Sequence, residues 1–394
     1  MASEPTQHAV EPDAGLQGRT VVLTAEGLQA LIDAVAAAGY QVIGPTLRDG
    51  AIVYDQIAGI AELPAGWTDV QAPGRYSLQR RSDNALFGYT VGPHAWKRFL
   101  HPPIETIWKA RRDEHGAMTL APLPEELPRY AFLGVRACEL HAIAIQDRVF
   151  CDGPYPDTAY QARRDRALLI AVNCGQAATT CFCVSMQTGP KADTGYDLAL
   201  TELEPGATFL AEPGTNAGAR LLAGVPQRAA TEADKAAADA VSARAATQMG
   251  RSLETDGLKE LLQSNPNHPR WDEVAQRCLS CANCTMVCPT CFCITVDDHT
   301  DLTGAEAERV RRWDSCFTMN FSYLHGGAVR PSGRARYRQW MTHKLASWHD
   351  QFGTSGCVGC GRCIAWCPVG IDITEEAAAI RATSAAKGAS HGRD

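Results

Sequence analysis

Cys278-Leu-Ser-Cys281-Ala-Asn-Cys284-Thr-Met-Val-Cys288-Pro289, followed by Cys357-Val-Gly-Cys360-Gly-Arg-Cys363-Ile-Ala-Trp-Cys367-Pro368, is the pair of stretches from which the rest of this chain is read. Each run gathers three thiols within seven residues and sets a fourth just ahead of a proline. A [4Fe-4S] cube needs one thiolate per iron, and a chain turning tightly around three corners cannot easily reach the fourth. Each proline fixes φ and ends the helix-like turn, so the segment leaves the site extended. Gly359 and Gly361 suit a loop that brings backbone N–H groups close to sulfur. Leu279, Met286 and Val287 in the first run, with Val358, Ile364 and Trp366 in the second, supply a dry apolar shell. Structural zinc pairs two CxxC knuckles and rarely adds a third cysteine at the same spacing. Disulfides need an oxidising compartment, which nothing in the chain indicates. The expectation is two [4Fe-4S] clusters.

The runs resemble those of bacterial two-cluster ferredoxins, in which the fourth cysteine of each run ligates the other cluster. That resemblance implies Cys278, Cys281, Cys284 and Cys367 for one cube and Cys357, Cys360, Cys363 and Cys288 for the other. The domain is expanded, because 68 residues (289–356) separate the runs.

The composition, 45% hydrophobic and 21% charged over 394 residues, is that of a globular chain long enough for two or three domains. A net charge of −7 leaves no basic footprint for nucleic acid or an anionic membrane. There is no apolar stretch of about 18 residues to span a bilayer, and the first residues lack the basic and apolar regions of a secretory signal. A cytoplasmic location is expected.

Residues 1–19 read as a disordered leader. Leu28, Leu31, Ile32 and Val35, with Thr24 as N-cap and Gly39 beyond the end, predict an amphipathic helix over 25–38. Short strands at 40–43 and 51–54, apolar strand-length runs at 130–136 and 167–172, and a helix over 139–150 predict an α/β layer. The fold class expected is α+β: a mixed α/β domain over 20–215 and a helical connection over 216–264. A mostly helical, expanded two-[4Fe-4S] ferredoxin-type domain over 265–376 follows, then a flexible tail over 377–394.

Between the runs, Arg309, Arg311, Arg312, Arg330, Arg334, Arg336, Arg338 and Lys344 are interleaved with Trp313, Phe317, Phe321, Tyr323, Tyr337, Trp340 and Trp348. Such a mixture forms a solvated or internal packing face or docks a partner subunit; nucleic acid is the weaker reading in an acidic chain.

Several stretches outside the runs resemble one family: residues 88–103 (GYTVGPHAWKRFLHPP), 133–143 (LGVRACELHAI), 180–190 (TCFCVSMQTGP), 195–203 (GYDLALTEL) and 359–372 (GCGRCIAWCPVGID). They are similar to the β subunit of sulfhydrogenases and soluble NAD(P)-linked [NiFe]-hydrogenases, a family that includes the A-type component of anaerobic sulfite reductase. Ala137 and Glu139 depart from it, standing where the family more often has Pro and Asp. The resemblance implies an electron-transfer subunit with no catalytic residues of its own. Its partners would be a flavoprotein subunit binding FAD and NAD(P) and the [NiFe]-hydrogenase small and large subunits. The A-type component of a sulfite reductase is the alternative. A self-contained flavin-binding reductase is a further one, disfavoured because no GxGxxG or GxxxxGK[ST] loop occurs.

Eight of the 16 cysteines lie outside the runs. Cys138, Cys174, Cys181, Cys183, Cys291 and Cys293 leave a third cluster open, although buried cysteines commonly act as small hydrophobes; Cys151 and Cys316 complete the set. His94, His101 and His141 read as isolated surface or core histidines.

Overall fold

The computed structural model describes residues 19–121 and 127–391, with side chains to residue 384; the expected leader, apart from Arg19, lies outside it. Thr24 caps the helix Ala25–Ala37 by accepting from the Gly27 N–H, as the sequence pattern predicts. The four apolar runs become Gln41–Arg48, Ala51–Gln56, Tyr130–Val135 and Leu168–Val172. They belong to an eight-stranded sheet. From one edge its order is Arg228–Ala229, Val21–Thr24, Thr208–Pro213, Leu198–Glu204, Leu168–Val172, Tyr130–Val135, Gln41–Arg48, Ala51–Gln56. The fourth to seventh, Leu198–Glu204 to Gln41–Arg48, pair in parallel, and the remaining pairings are antiparallel.

Both faces of the sheet are covered, which is why its central strands read as unbroken apolar runs rather than alternating ones. Leu133, Ile170 and Leu200 pack with Leu28, Leu31 and Val35 of the first helix on one face. Phe132, Leu169 and Ala199 meet Leu140 and Ile143 of the helix Ala137–Cys151 on the other. The period of two along each strand sends successive side chains to opposite cores.

The helical connection is two helices, Glu232–Thr247 and Leu258–Ser264, with ten residues between them. Around the cysteine runs the chain is helical in part: Arg270–Arg277, Gly333–Thr342, a π-helical turn His343–Ser347 and Trp348–Phe352. It also holds strands, which a mostly helical domain leaves out. Ile294–Thr300 and Glu306–Trp313 form a hairpin, and its second strand pairs with Ile104–Arg112 of the N-terminal region. Together with Met118–Ala121 these make a four-stranded sheet that sews the two halves together. Arg311 anchors the seam by bonding Glu105 and Asp157. The flexible tail expected from residue 377 is instead helix, because Ile373–His391 is continuous and buries Ala377 and Ile380 in the core around the runs.

The basic-aromatic stretch faces largely inward. Phe317, Tyr337, Trp340 and Trp348 are buried. Arg338 donates to Pro266 O at 2.6 Å and Arg334 pairs with Asp272 at 3.4 Å. Arg309 and Arg312 pair along the hairpin with Asp298 and Asp297.

Candidate iron–sulfur site

The two runs share one backbone conformation, position for position. Ser280 (φ 52°) and Ala282 (φ 66°) in the first match Gly359 (φ 66°) and Gly361 (φ 76°) in the second, all left-handed. A four-residue helix follows each, Asn283–Met286 and Arg362–Ala365. Two residues past its first cysteine, each run turns an N–H toward sulfur: Ser280 N to Cys278 Sγ at 3.4 Å, Gly359 N to Cys357 Sγ at 3.5 Å.

The thiols fall into two groups. Cys278, Cys281 and Cys284 interact with one another and with Cys367. Cys357, Cys360 and Cys363 interact with one another and with Cys288. Cys367 thus acts on thiols of the first run, and Cys288 on those of the second as well as on Cys284 of its own. A cavity lies between the runs, lined by Cys278, Cys281, Cys284, Cys363 and Cys367. Nowhere among the described residues do three His, Cys, Asp or Glu side chains converge on one ion-sized point. The sulfurs of a cube stand apart, each on its own iron, so a cluster does not require such convergence. The donor set fits a [4Fe-4S] group: four thiols, N–H donors aimed at sulfur and an apolar surround. Burial pushes the thiols of Cys284, Cys363 and Cys360 up and that of Cys357 to about 12. Thiolates in such surroundings need the positive charge of iron.

Surroundings separate the runs. The first lies near solvent, with Cys281 exposed and Leu279 63% exposed. The second lies beneath the N-terminal region, where three of the family-like stretches converge on it. From residues 180–190, Phe182 N donates to Gly359 O at 2.8 Å and Thr188 Oγ1 to Val358 O at 2.6 Å. From residues 88–103, the carbonyls of Gly92 and His94 accept from the Arg362 guanidinium at 2.9 and 3.0 Å. From residues 133–143, Glu139 forms an ion pair with Arg362, the two being 1% and 0% exposed.

Glu139 is held from all sides: it accepts from Tyr54 Oη at 2.8 Å, Trp96 Nε1 at 3.0 Å and Arg136 N at 3.1 Å. Arg136, also buried, donates to the carbonyls of Phe87, Tyr89, Val172 and Asn173. A buried ion pair needs such added hydrogen bonds to offset desolvation. The departure at Glu139 touches no ligand sulfur and still carries the main polar link between the halves. Neither Glu139 nor Arg362 stands out by sequence pattern; that Arg362 sits inside the second run was the one available signal.

The cysteines outside the runs split. Cys138 and Cys183 lie near Cys360, and the Cys181 thiol approaches Cys360 O at 4.0 Å. Cys291 lies against Cys288, and Cys293 against Cys316. The Cys291 thiol holds Cys288 well below the usual thiol range despite burial, aided by the Lys344 ammonium and Thr290. His101 is buried against Phe150, with ring centroids 4.7 Å apart, and burial lowers its imidazole to about 3; burial lowers His94, beside Arg98, to about 4. Both are neutral near pH 7. His141 is also lowered by burial.

Residues 277–371 match the 4Fe-4S dicluster domain family. The chain is 29% identical over 335 residues, 84% of its length and 90% of the relative's, to sulfhydrogenase 2 subunit beta of Pyrococcus furiosus. Over most of its length the chain is thus similar to one sulfhydrogenase β subunit. The matched domain is one that carries iron–sulfur clusters. No solved structure matches the chain. Among the described residues no helix is long and apolar enough to cross a membrane.

Proposed function

We propose that the chain is the electron-relay subunit of a multi-subunit oxidoreductase, binding two [4Fe-4S] clusters. Cys278, Cys281, Cys284 and Cys367 hold one, and Cys357, Cys360, Cys363 and Cys288 the other. The observation that carries this reading is the repetition: two runs of one conformation, each turning an N–H toward the sulfur of its first cysteine. The clusters supply one-electron chemistry. The chain's residues fix them side by side, direct N–H groups at their sulfurs and exclude water from the second. Relay runs between a flavoprotein subunit binding FAD and NAD(P) and a [NiFe]-hydrogenase module. The similarity to a sulfhydrogenase subunit supports that choice of partners. The exposed edge of the first run, with Leu279 and Val369, is the face a partner covers.

Anaerobic affinity isolation of the full-length chain tests this. Iron near eight per chain, two reducible four-iron signals and a co-purifying nickel protein are expected. A sirohaem protein in place of the nickel protein assigns the chain to a sulfite reductase. Flavin on the isolated chain, with NAD(P)H-dependent dye reduction, overturns the relay reading.

A further inference from the structure

Two lysines lie buried beside the second run, Lys97 and Lys344, 4% and 3% exposed. Among the described residues neither pairs with a carboxylate. Lys97 donates to Cys291 O at 3.0 Å and its Nζ lies 3.8 Å from the centre of the Trp313 ring. Lys344 projects from the π-helical turn His343–Ser347, a rare geometry that often marks functional positions. An ammonium has three protons. Three acceptors meet them: Cys288 Sγ at 3.1 Å, Thr290 Oγ1 at 3.0 Å and Gly356 O at 2.9 Å. The Thr290 hydroxyl donates in turn to Gly356 O at 2.6 Å. The charged form of Lys344 is therefore fully satisfied, with one of its three protons on the Cys288 sulfur.

Among the described residues the equivalent sulfur of the other cluster has no such partner. Cys367 Sγ accepts from the backbone N–H of Ile371 at 3.3 Å. Arg362, a further buried cation near the second run, is neutralised by Glu139. Arg336, buried beside the first run, donates to Ser280 Oγ at 3.3 Å rather than to a cysteine sulfur, so the Cys288 group is set apart by a direct ammonium–sulfur hydrogen bond.

We propose that Lys344 raises the reduction potential of the cluster ligated by Cys288 above that of its neighbour, making the more buried centre the one on which an electron settles. The inference rests on the cluster assignment above. One-electron reduction adds one negative charge to the cluster and its thiolates. A fixed ammonium bonded to a ligand sulfur stabilises that added charge. Burial alone acts in the opposite sense, since a low-dielectric surround penalises added charge. Lys344 reverses it, acting on potential through Cys288 as a positioning and tuning residue rather than a catalytic one.

The test is a potentiometric titration, followed by electron paramagnetic resonance, of the anaerobically purified full-length chain. Lys344→Met is expected to lower one of the two midpoints by about a factor of ten in the oxidised-to-reduced ratio, about 59 mV for a one-electron couple. The other midpoint stays, and Lys344→Arg restores most of the difference. Two unchanged midpoints, or both moving together, overturn the proposal. If Lys344→Met binds less iron, Lys344→Gln, which keeps a donor without charge, carries the same expectation. Loss of the signal in both, with Lys344→Arg retaining it, assigns Lys344 to cluster assembly and overturns the role in potential. Wild-type protein without two four-iron signals overturns the cluster assignment instead.

Discussion

The first and second cysteine runs are the same loop in two different environments. Both turn left-handed at the second and fourth residues after their first cysteine. In the first run those residues are Ser280 and Ala282, and in the second they are glycines. The reason lies outside the loops. A Cβ on Gly359 would stand 2.6 Å from Phe182 O, and one on Gly361 2.4 Å from Thr180 O. The first run lies near solvent and tolerates side chains that the second cannot. Motif spacing therefore sets the loop, while the surface it packs on sets residue choice, burial and charge.

Removing a ligand breaks the comparison most severely. Cys284→Ser and Cys363→Ser should each lower iron from about eight to about four per chain, one cluster apiece. Cys288→Ser should abolish the second cluster's magnetic signal and Cys367→Ser the first's, the reverse of their positions in sequence. If each instead abolishes the signal of its own run, the crossed pairing is wrong.

Next in size is the ion pair that exists only beneath the second run. Arg362→Ala leaves Glu139 buried without its cation and should destabilise by about 3–5 kcal/mol, read from urea unfolding. No equivalent substitution near the first run, such as Asn283→Ala, should approach that.

The glycine contrast sharpens the point at lower energy. Gly361→Ala carries about 1–2 kcal/mol of left-handed strain besides the clash with Thr180 O. Ala282→Gly, at the matching place in the first run, should be neutral or stabilising by up to about 1 kcal/mol. Thermal unfolding of the two variants should shift in opposite directions or differ clearly in size.

The smallest effect concerns the seam beneath the hairpin. Burial raises the Asp157 carboxyl, but the Tyr160 N–H and the Arg311 guanidinium lower it more, so its folded value lies below the unfolded one. Its stabilisation is present above the unfolded value of about 3.9 and is lost as pH falls through the folded value. Asp157→Asn should lower the melting temperature at pH 7, where that stabilisation is fully present, and its difference from the wild type should shrink as pH falls below about 4.

Much was legible in the chain itself. The helix Ala25–Ala37 with its Thr24 cap, and the strands Tyr130–Val135 and Leu168–Val172, followed from periodicity because apolar spacing maps directly onto buried faces. The hairpin Ile294–Thr300 and Glu306–Trp313 was missed, since its strands mix charges and pair with a distant segment. The tail was misread because its alanines, interspersed with polar residues, give no periodic signal; Ala377 and Ile380 find their core only in the fold. The basic-aromatic stretch left a packing face and a docking face both open and is largely interior, because arginine stems and rings pack together once their charges meet carbonyls and carboxylates.

By itself the sequence determined the cysteine spacing, and with it the loop conformation and the kind of metal group it suits, because ligand geometry within a few residues is a local property of the chain. Tertiary structure alone decided which run is buried, which cations face its sulfurs and which carboxylate answers Arg362. Those contacts join residues more than fifty positions apart, and electrostatic energy depends on distance and dielectric in space, neither of which a linear order records.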